Sequence, residues 1–224
     1  MTPEVEARLA DFARLLRTAN ATHNLTAARA PDELAEHIAD ALTLLPFVAE
    51  PLVDVGCGGG FPALPLAIAG GLRATLIESV AKKARFLAAT VAELGLPVTV
   101  VTARAEVAAH DPGLRESFAS ATARAVGSLP TVLELTIPFL RPGGTAVLQR
   151  GALGEEERRA GADAALMLGA EISEEIPLDG VRRLILVRKL NATPARLPRR
   201  TGIPQKRPLC SRPIPGAQAL PADV

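Results

Sequence analysis

Residues 51–63 read Pro-Leu-Val-Asp-Val-Gly-Cys-Gly-Gly-Gly-Phe-Pro-Ala, and few folds accept such a run. An apolar strand, Leu52–Val55, leads directly into glycines at 56, 58, 59 and 60. Glycine lets the backbone turn sharply and lets a ligand lie almost against the main chain. In α/β folds the Gly-rich turn after the first strand is where nucleotide-like cofactors sit. The spacing narrows the cofactor. A dinucleotide fingerprint, G-x-G-x-x-G, would need its third glycine at position 61, which is Phe61.

What stands instead is D-x-G-x-G-x-G, formed by Asp54, Gly56, Gly58 and Gly60. That pattern resembles the one in S-adenosylmethionine-dependent methyltransferases. Their cofactor has no pyrophosphate, and an acid on the strand can help hold its cationic methionine end. Glu78 ends the next strand-like run, 24 residues after Asp54. An acid about 20 residues on is the ribose-hydroxyl ligand of nucleotide-binding α/β folds. The rival reading is a glycine turn without a ligand and a solvated acid at a strand end.

The chain around this turn alternates strands and helices. Amphipathic spacing predicts helices over 3–19 and about 32–48, both ahead of the first strand. Strands are expected at 52–55, 73–78, 97–102, 119–125, 145–149, 171–177 and 182–190, with Pro142-Gly143-Gly144 turning into the fifth. Helices are expected at about 62–70, 80–94, 105–110, 128–140 and 155–168, with Gly95 as a C-cap. Such alternation means a mostly parallel sheet covered on both faces. The last two strands have no helix between them and should pair as a hairpin. The expected fold is therefore α/β, a Rossmann-like class I methyltransferase with seven strands. Its parts are a helical cap (1–50), the methyltransferase domain (51–190) and a basic, Pro-rich tail (191–224).

The 224 residues and 48% hydrophobic content suit one globular domain with extensions. No apolar run is long enough to cross a membrane, and the N-terminus lacks the pattern of a signal peptide. The two cysteines, Cys57 and Cys210, make neither a disulfide framework nor a metal cluster. A cytoplasmic monomer is the default expectation. The net charge of +1 is unevenly placed: the tail has six basic residues and one acid, leaving −4 for the rest. With seven of the 19 prolines, the tail reads as an extended basic arm for nucleic acid, or as a solvated tail.

Ligands in open α/β sheets bind beyond the carboxyl ends of the strands. The glycine loop with Phe61, Glu78, Ala105-Glu106 and Arg124 all reach that edge. Ala105-Glu106 is placed to meet adenine and Arg124 to meet substrate; the competing readings are a helix N-terminal acid for Glu106 and a surface ion pair for Arg124. After the fourth strand the chain reads Ala123-Arg124-Ala125-Val126. It has neither the Asn/Asp-Pro-Pro-Tyr/Phe motif of amino-methyltransferases nor a nucleophilic cysteine. Cys57 reads as a packed filler. No His-Asp pair is evident as a general base. This suits a target with a free lone pair, such as N7 of guanine, where approach geometry matters more than proton removal.

Further stretches bring in a narrower resemblance. They are Asn24-Leu25-Thr26-Ala27, His37-Ile38-Ala39-Asp40, Lys82-Lys83-Ala84-Arg85-Phe86-Leu87, Arg104-Ala105-Glu106, Ala123-Arg124-Ala125 and the run from Leu197 to Leu209. Together with the glycine loop they resemble the bacterial small-subunit ribosomal RNA methyltransferase G (GidB) family over most of residues 20–209. The resemblance implies methylation of N7 of a guanosine in 16S rRNA of the small subunit. It implies S-adenosylmethionine contacts at Gly56, Phe61, Ala105, Glu106 and Arg124. Arg124 and Arg150 are the substrate-facing candidates, with no catalytic residue assigned. Lys82, Lys83, Arg150, Arg199, Arg200, Lys206 and Arg207 are the expected RNA contacts. Truncation before Leu197 is expected to weaken RNA binding and spare the cofactor. The departures (Ala41, Ala63, Ala121-Thr122-Ala123, Arg150-Gly151, Arg183) bear on RNA contacts more than on the cofactor loop. The competing functions are methylation of another RNA or a small molecule, and RNA binding without catalysis.

Overall fold

The computed structural model describes residues 1–23, 25–26 and 30–209. Asn24 and Ala27 of the second motif, with Cys210, Arg212 and Asp223, lie outside them. The elements run α1 (Pro3–His23), α2 (Pro31–Leu42), β1 (Leu52–Val55), α3 (Ala63–Gly70), β2 (Ala74–Glu78), α4 (Ala81–Glu93), β3 (Val98–Thr102), α5 (Ala105–Ala108), β4 (Phe118–Ala123), α6 (Leu129–Thr136), β5 (Leu140–Arg150), α7 (Glu155–Met167), β6 (Ala170–Asp179), β7 (Arg182–Lys189) and α8 (Ile203–Lys206).

The seven strands lie in the order β3-β2-β1-β4-β5-β7-β6. β1 pairs in parallel with both β2 and β4, whereas β7 is antiparallel to β5 and β6. All four residues of β1 are buried, as a central parallel strand covered on both faces requires. Alternate residues along it face opposite layers. Leu52 packs with Leu9, Phe12 and Leu16 of α1, Leu34 of α2, Leu64 of α3 and Leu87 of α4. Val53 and Val55 pack with Leu129 and Leu133 of α6 and Ala164 of α7. The N-terminal helices thus share a core with one face of the sheet.

Three expectations change. α2 ends at Leu42, and Leu45–Phe47 forms a 3₁₀ turn, because Pro46 has no N–H to continue a helix. The apolar spacing that extended the helix to Val48 persists through that turn. Second, Pro142-Gly143-Gly144 lies within β5 as a bulge: Phe118 pairs with Leu140, and the register resumes at Ser120 with Thr145. A Cβ at Gly144 would stand 2.9 Å from the Ala119 carbonyl oxygen, so only glycine lets the strands close there. Third, residues 191–209 do not extend as an arm. They fold back as a strap over the α5–α6 side, with Leu197 and Leu209 buried in its core.

The strap is tied down by side chains distant in sequence. Arg115 donates to the carbonyl oxygens of Thr193 (2.8 Å), Pro194 (3.2 Å) and Leu197 (2.9 Å). The Thr193 amide donates to Glu116 at 2.6 Å, and Glu116 also pairs with the buried Lys189 at 3.2 Å. Arg199 forks onto Glu134 of α6 at 2.9 and 2.6 Å, while its amide donates to the same carboxylate at 2.8 Å. Glu134 is fully buried, so this pair carries the geometric requirement of any buried ion pair: every lone pair needs a donor.

Candidate active site

The glycine loop sits at the carboxyl ends of β1 and β2. Gly56, Gly58 and Gly60 all have positive φ, and a Cβ on Gly60 (φ 100°) would lie 2.5 Å from Leu64 Cδ1. The loop's turn therefore needs glycine for backbone shape and for packing on α3. Glu78, at the end of β2, accepts the Gly58 amide at 3.0 Å and the Val80 amide at 2.8 Å. A cleft of about 260 Å³ opens beside them. Gly56, Glu78, Ala105 and Glu106 all line it, together with Ser79, Val126 and Gln205. Four of the residues expected to hold a cofactor thus meet in one cavity, from three separate stretches of chain.

Asp54 lies beneath the loop. It is fully buried; Thr122 donates to its Oδ1 at 2.9 Å, and its Oδ2 has no hydrogen-bond partner among the described residues. Burial pushes its pKa up to about 7, against the Thr122 hydroxyl, the Ala63 amide and Arg124, which favour the charged form. A buried carboxyl with one unsatisfied oxygen is a costly feature to retain without a use. It fits a cationic group brought in by a ligand.

The chain matches the family "rRNA small subunit methyltransferase G" (GidB) over residues 5–184. It is 42% identical to the ribosomal RNA small subunit methyltransferase G of Deinococcus deserti, covering 87% of this chain and 85% of that one. The corresponding protein of Deinococcus radiodurans is also 42% identical, over 91% of this chain and 85% of its own. The chain belongs to this family. Among solved structures, a geranyl diphosphate methyltransferase in complex with GPP and sinefungin superposes with a TM-score of 0.60 at 16% identity, covering 84% of this chain and 100% of that one. An O-methyltransferase from Bacillus cereus in complex with SAH gives 0.57 at 17% identity, covering 80% and 90%. At such identities the likeness establishes the fold alone: this GidB-family chain has the class I methyltransferase architecture expected from its alternating elements.

Arg124, just beyond β4, is half-buried in this family member. Its guanidinium stands 4.8 Å from the Phe61 ring centroid and 3.7 Å from the Asp40 carboxylate. Phe61 in turn packs edge-on against Phe12 (5.4 Å) and His37 (5.6 Å). Asp40 also accepts from Gln149 Nε2 at 2.5 Å and from Arg182 at 2.6 Å. α2 therefore brings His37 and Asp40, one turn apart on one face, to the ends of β4, β5 and β7. Sequence reasoning quoted these two only as part of a matching motif and saw no His-Asp arrangement. The signal was their i,i+3 spacing on a helix ahead of the sheet; Gln149 and Arg182 carried none. His37 Nδ1 and Gln149 Oε1 are buried without a hydrogen-bond partner among the described residues. Burial, and then Arg124, holds the His37 ring below its ordinary pKa against the pull of Asp40.

The cations expected to meet RNA divide into two groups. Arg150 is engaged within the fold: it donates to the Gly127 carbonyl at 2.6 Å and to Glu157 at 2.7 Å. It braces the loop after β4, since Glu157 also accepts the Leu129 amide at 2.8 Å. Arg199 is engaged with Glu134 as described above. Lys82, Arg200, Lys206 and Arg207 are exposed, and Lys83 is partly so. Glu106 faces two ways: it lines the cleft, and its Oε1 accepts the Gly202 amide at 2.8 Å and Arg104 at 3.3 Å. Burial raises the Glu106 carboxyl, but the Gly202 amide, its own amide and Arg104 outweigh burial and hold it below the ordinary value.

Proposed function

We propose that this GidB-family chain methylates N7 of a guanosine in 16S rRNA of the small ribosomal subunit, using S-adenosylmethionine. One observation carries the reading. The glycine loop, Glu78 and Ala105-Glu106 converge on one cleft, with the Phe61–Arg124 pair and the unsatisfied Asp54 carboxyl beside the same loop. When bound, the cofactor supplies an electrophilic methyl group on a sulfonium.

Each residue then has a defined part. The Gly56–Gly60 backbone lets a ligand approach the main chain closely. Glu78, on β2, holds the ribose hydroxyls, and Ala105-Glu106 meets the base. Asp54 balances the cationic methionine end. Arg124, flanked by Phe61 and Asp40, borders the side from which a substrate base enters. N7 of guanine has a free lone pair, so the residues need to position and desolvate the base rather than remove a proton. Lys82, Lys83, Arg200, Lys206 and Arg207 hold RNA phosphates by charge. Arg150 and Arg199 serve the surface indirectly, by holding the β4 loop and the strap in place.

With ribosomal RNA as substrate, the protein works in the cytoplasm. It works as a monomer: among the described residues, apart from the neighbours Leu166 and Met167, the exposed large hydrophobic residues, such as Val80, Val107 and Val181, are scattered along the sequence. No helix among the described residues is long and apolar enough to cross a membrane. The test is transfer of labelled methyl from S-adenosylmethionine to small subunits or 16S rRNA from a strain lacking this activity, followed by nucleoside analysis. Label in 7-methylguanosine is the expected result. Label in another nucleoside, or none, would defeat the proposal.

A further inference from the structure

The strap does more than cover a hydrophobic face. Gln205, on α8, lines the same cleft as Gly56, Glu78 and Glu106, although about a hundred residues separate it from Glu106. Three ties fix its place. The Gly202 amide donates to Glu106 at 2.8 Å, the Thr131 hydroxyl donates to the Pro204 carbonyl at 3.0 Å, and Arg199 is clamped to the buried Glu134. These positions bracket Gln205 on both the cleft side and the α6 side. The Gln205 amide itself makes no hydrogen bond among the described residues.

We propose that the strap is a wall of the cofactor cleft and that Gln205 is a further cofactor-binding residue, reading the adenine edge. This rests on the placement of the cofactor under Proposed function. The chemistry is that of a planar primary amide, which offers a donor and an acceptor side by side. Adenine presents the complementary pair, its N6 amino group and a ring nitrogen, and Gln or Asn reads that pair bidentately elsewhere. Glu106 cannot do the same alone, because an ionised carboxylate only accepts hydrogen bonds and its Oε1 already takes the Gly202 amide and Arg104. Besides facing the cleft, it positions the strap that carries Gln205. The tail that was expected to be separable from cofactor binding is instead part of the pocket.

The test uses the full chain and two substitutions, Gln205→Ala and Gln205→Trp. S-adenosylhomocysteine and adenosine are titrated into each by calorimetry, and the ligand-free proteins are melted alongside. Gln205→Ala should weaken both ligands about three- to tenfold, the loss of one or two neutral hydrogen bonds. Gln205→Trp, which fills part of the cleft, should weaken both by more than about tenfold. Because Gln205 is exposed, neither should shift the ligand-free melting midpoint by more than about 2 °C. Unchanged affinity in either variant, with the parent binding normally, overturns this inference and leaves the cofactor site standing. Failure of the parent to bind S-adenosylhomocysteine overturns the cofactor site and this inference with it.

Discussion

If Asp54 balances the cationic end of the cofactor as proposed, cofactor affinity should depend on pH, with a sign and size that follow from the burial of this carboxyl. Its carboxyl has a pKa of about 7 in the fold against 3.8 as a free side chain. At 1.36 kcal/mol per unit this is about 4 kcal/mol disfavouring the buried anion. Because the folded value is raised, this group's contribution to stability is fully present below pH 3.8 and is lost as pH rises through about 7. A ligand that places a cation beside the carboxylate binds the ionised form. Its affinity should therefore weaken about 15-fold from about pH 7 to about pH 5.5, as the free site fills with protons. At about pH 6 binding should release about 0.9 proton per cofactor, measurable by calorimetry in buffers of different ionisation enthalpy. Asp54→Asn should remove the pH dependence, weaken binding at about pH 7, and raise ligand-free stability at about pH 8 by up to about 4 kcal/mol. His37 packs against Phe61 of the same loop, and burial holds its ring below the ordinary value, which is why the substitution is needed as a control. Proton release near zero in the parent, or pH dependence that survives Asp54→Asn, would refute the reasoning.

Three further outcomes follow from the geometry. Gly60→Ala forces an unfavourable φ and drives a methyl into Leu64, costing about 2–5 kcal/mol and abolishing cofactor binding; a variant that melts like the parent would contradict it. Arg199→Met leaves the buried Glu134 carboxylate unpaired, so chemical denaturation should show a loss of about 3–5 kcal/mol, and a loss under about 1 kcal/mol would mean that Glu134 finds another partner. Arg200→Ala and Lys206→Ala should each lower the salt slope of RNA binding by about 0.7–0.9 while cofactor affinity stays constant, and an unchanged slope would remove them from the RNA face.

The parts of the fold that could be read from sequence were those with local causes. β1 was placed to the residue because Leu52, Val53 and Val55 lie between Pro51 and the glycine run that starts at Gly56, with Asp54 the one polar residue among them. The β6–β7 hairpin was evident from two strand-like runs, 171–177 and 182–190, linked through Leu178-Asp179-Gly180 with no helix between them. Where two structures share one local chemistry, the reading failed. Pro142-Gly143-Gly144 has the composition of a turn, yet it is a bulge, because the neighbouring strand supplies the carbonyl oxygens that Gly144 must approach. The apolar periodicity of α2 continued past its true end because Leu45, Phe47 and Val48 still pack, partly buried, against the same core.

The site divides along the same line. Loop glycines, Glu78 and Glu106 follow strand ends, so their convergence could be inferred from topology alone. Cations could not be sorted that way. Arg150, Arg199 and Arg200 carry the same charge in a sequence, and all were read as RNA ligands. In the fold Arg150 holds Glu157, Arg199 holds Glu134 across 65 residues, and Arg200 remains exposed. The partner decides the role, and a composition-based reading of the tail does not register partners on α6. The same omission hid Gln205, whose relevance depends on Glu106 accepting an amide 96 residues away. An arm rich in Pro and Arg reads as solvated as long as its acids are sought nearby. Glu106, Glu116 and Glu134 each take from the strap a donor that lies far off in sequence, the Gly202 amide, the Thr193 amide and Arg199, and no reading confined to neighbouring residues registers those partners.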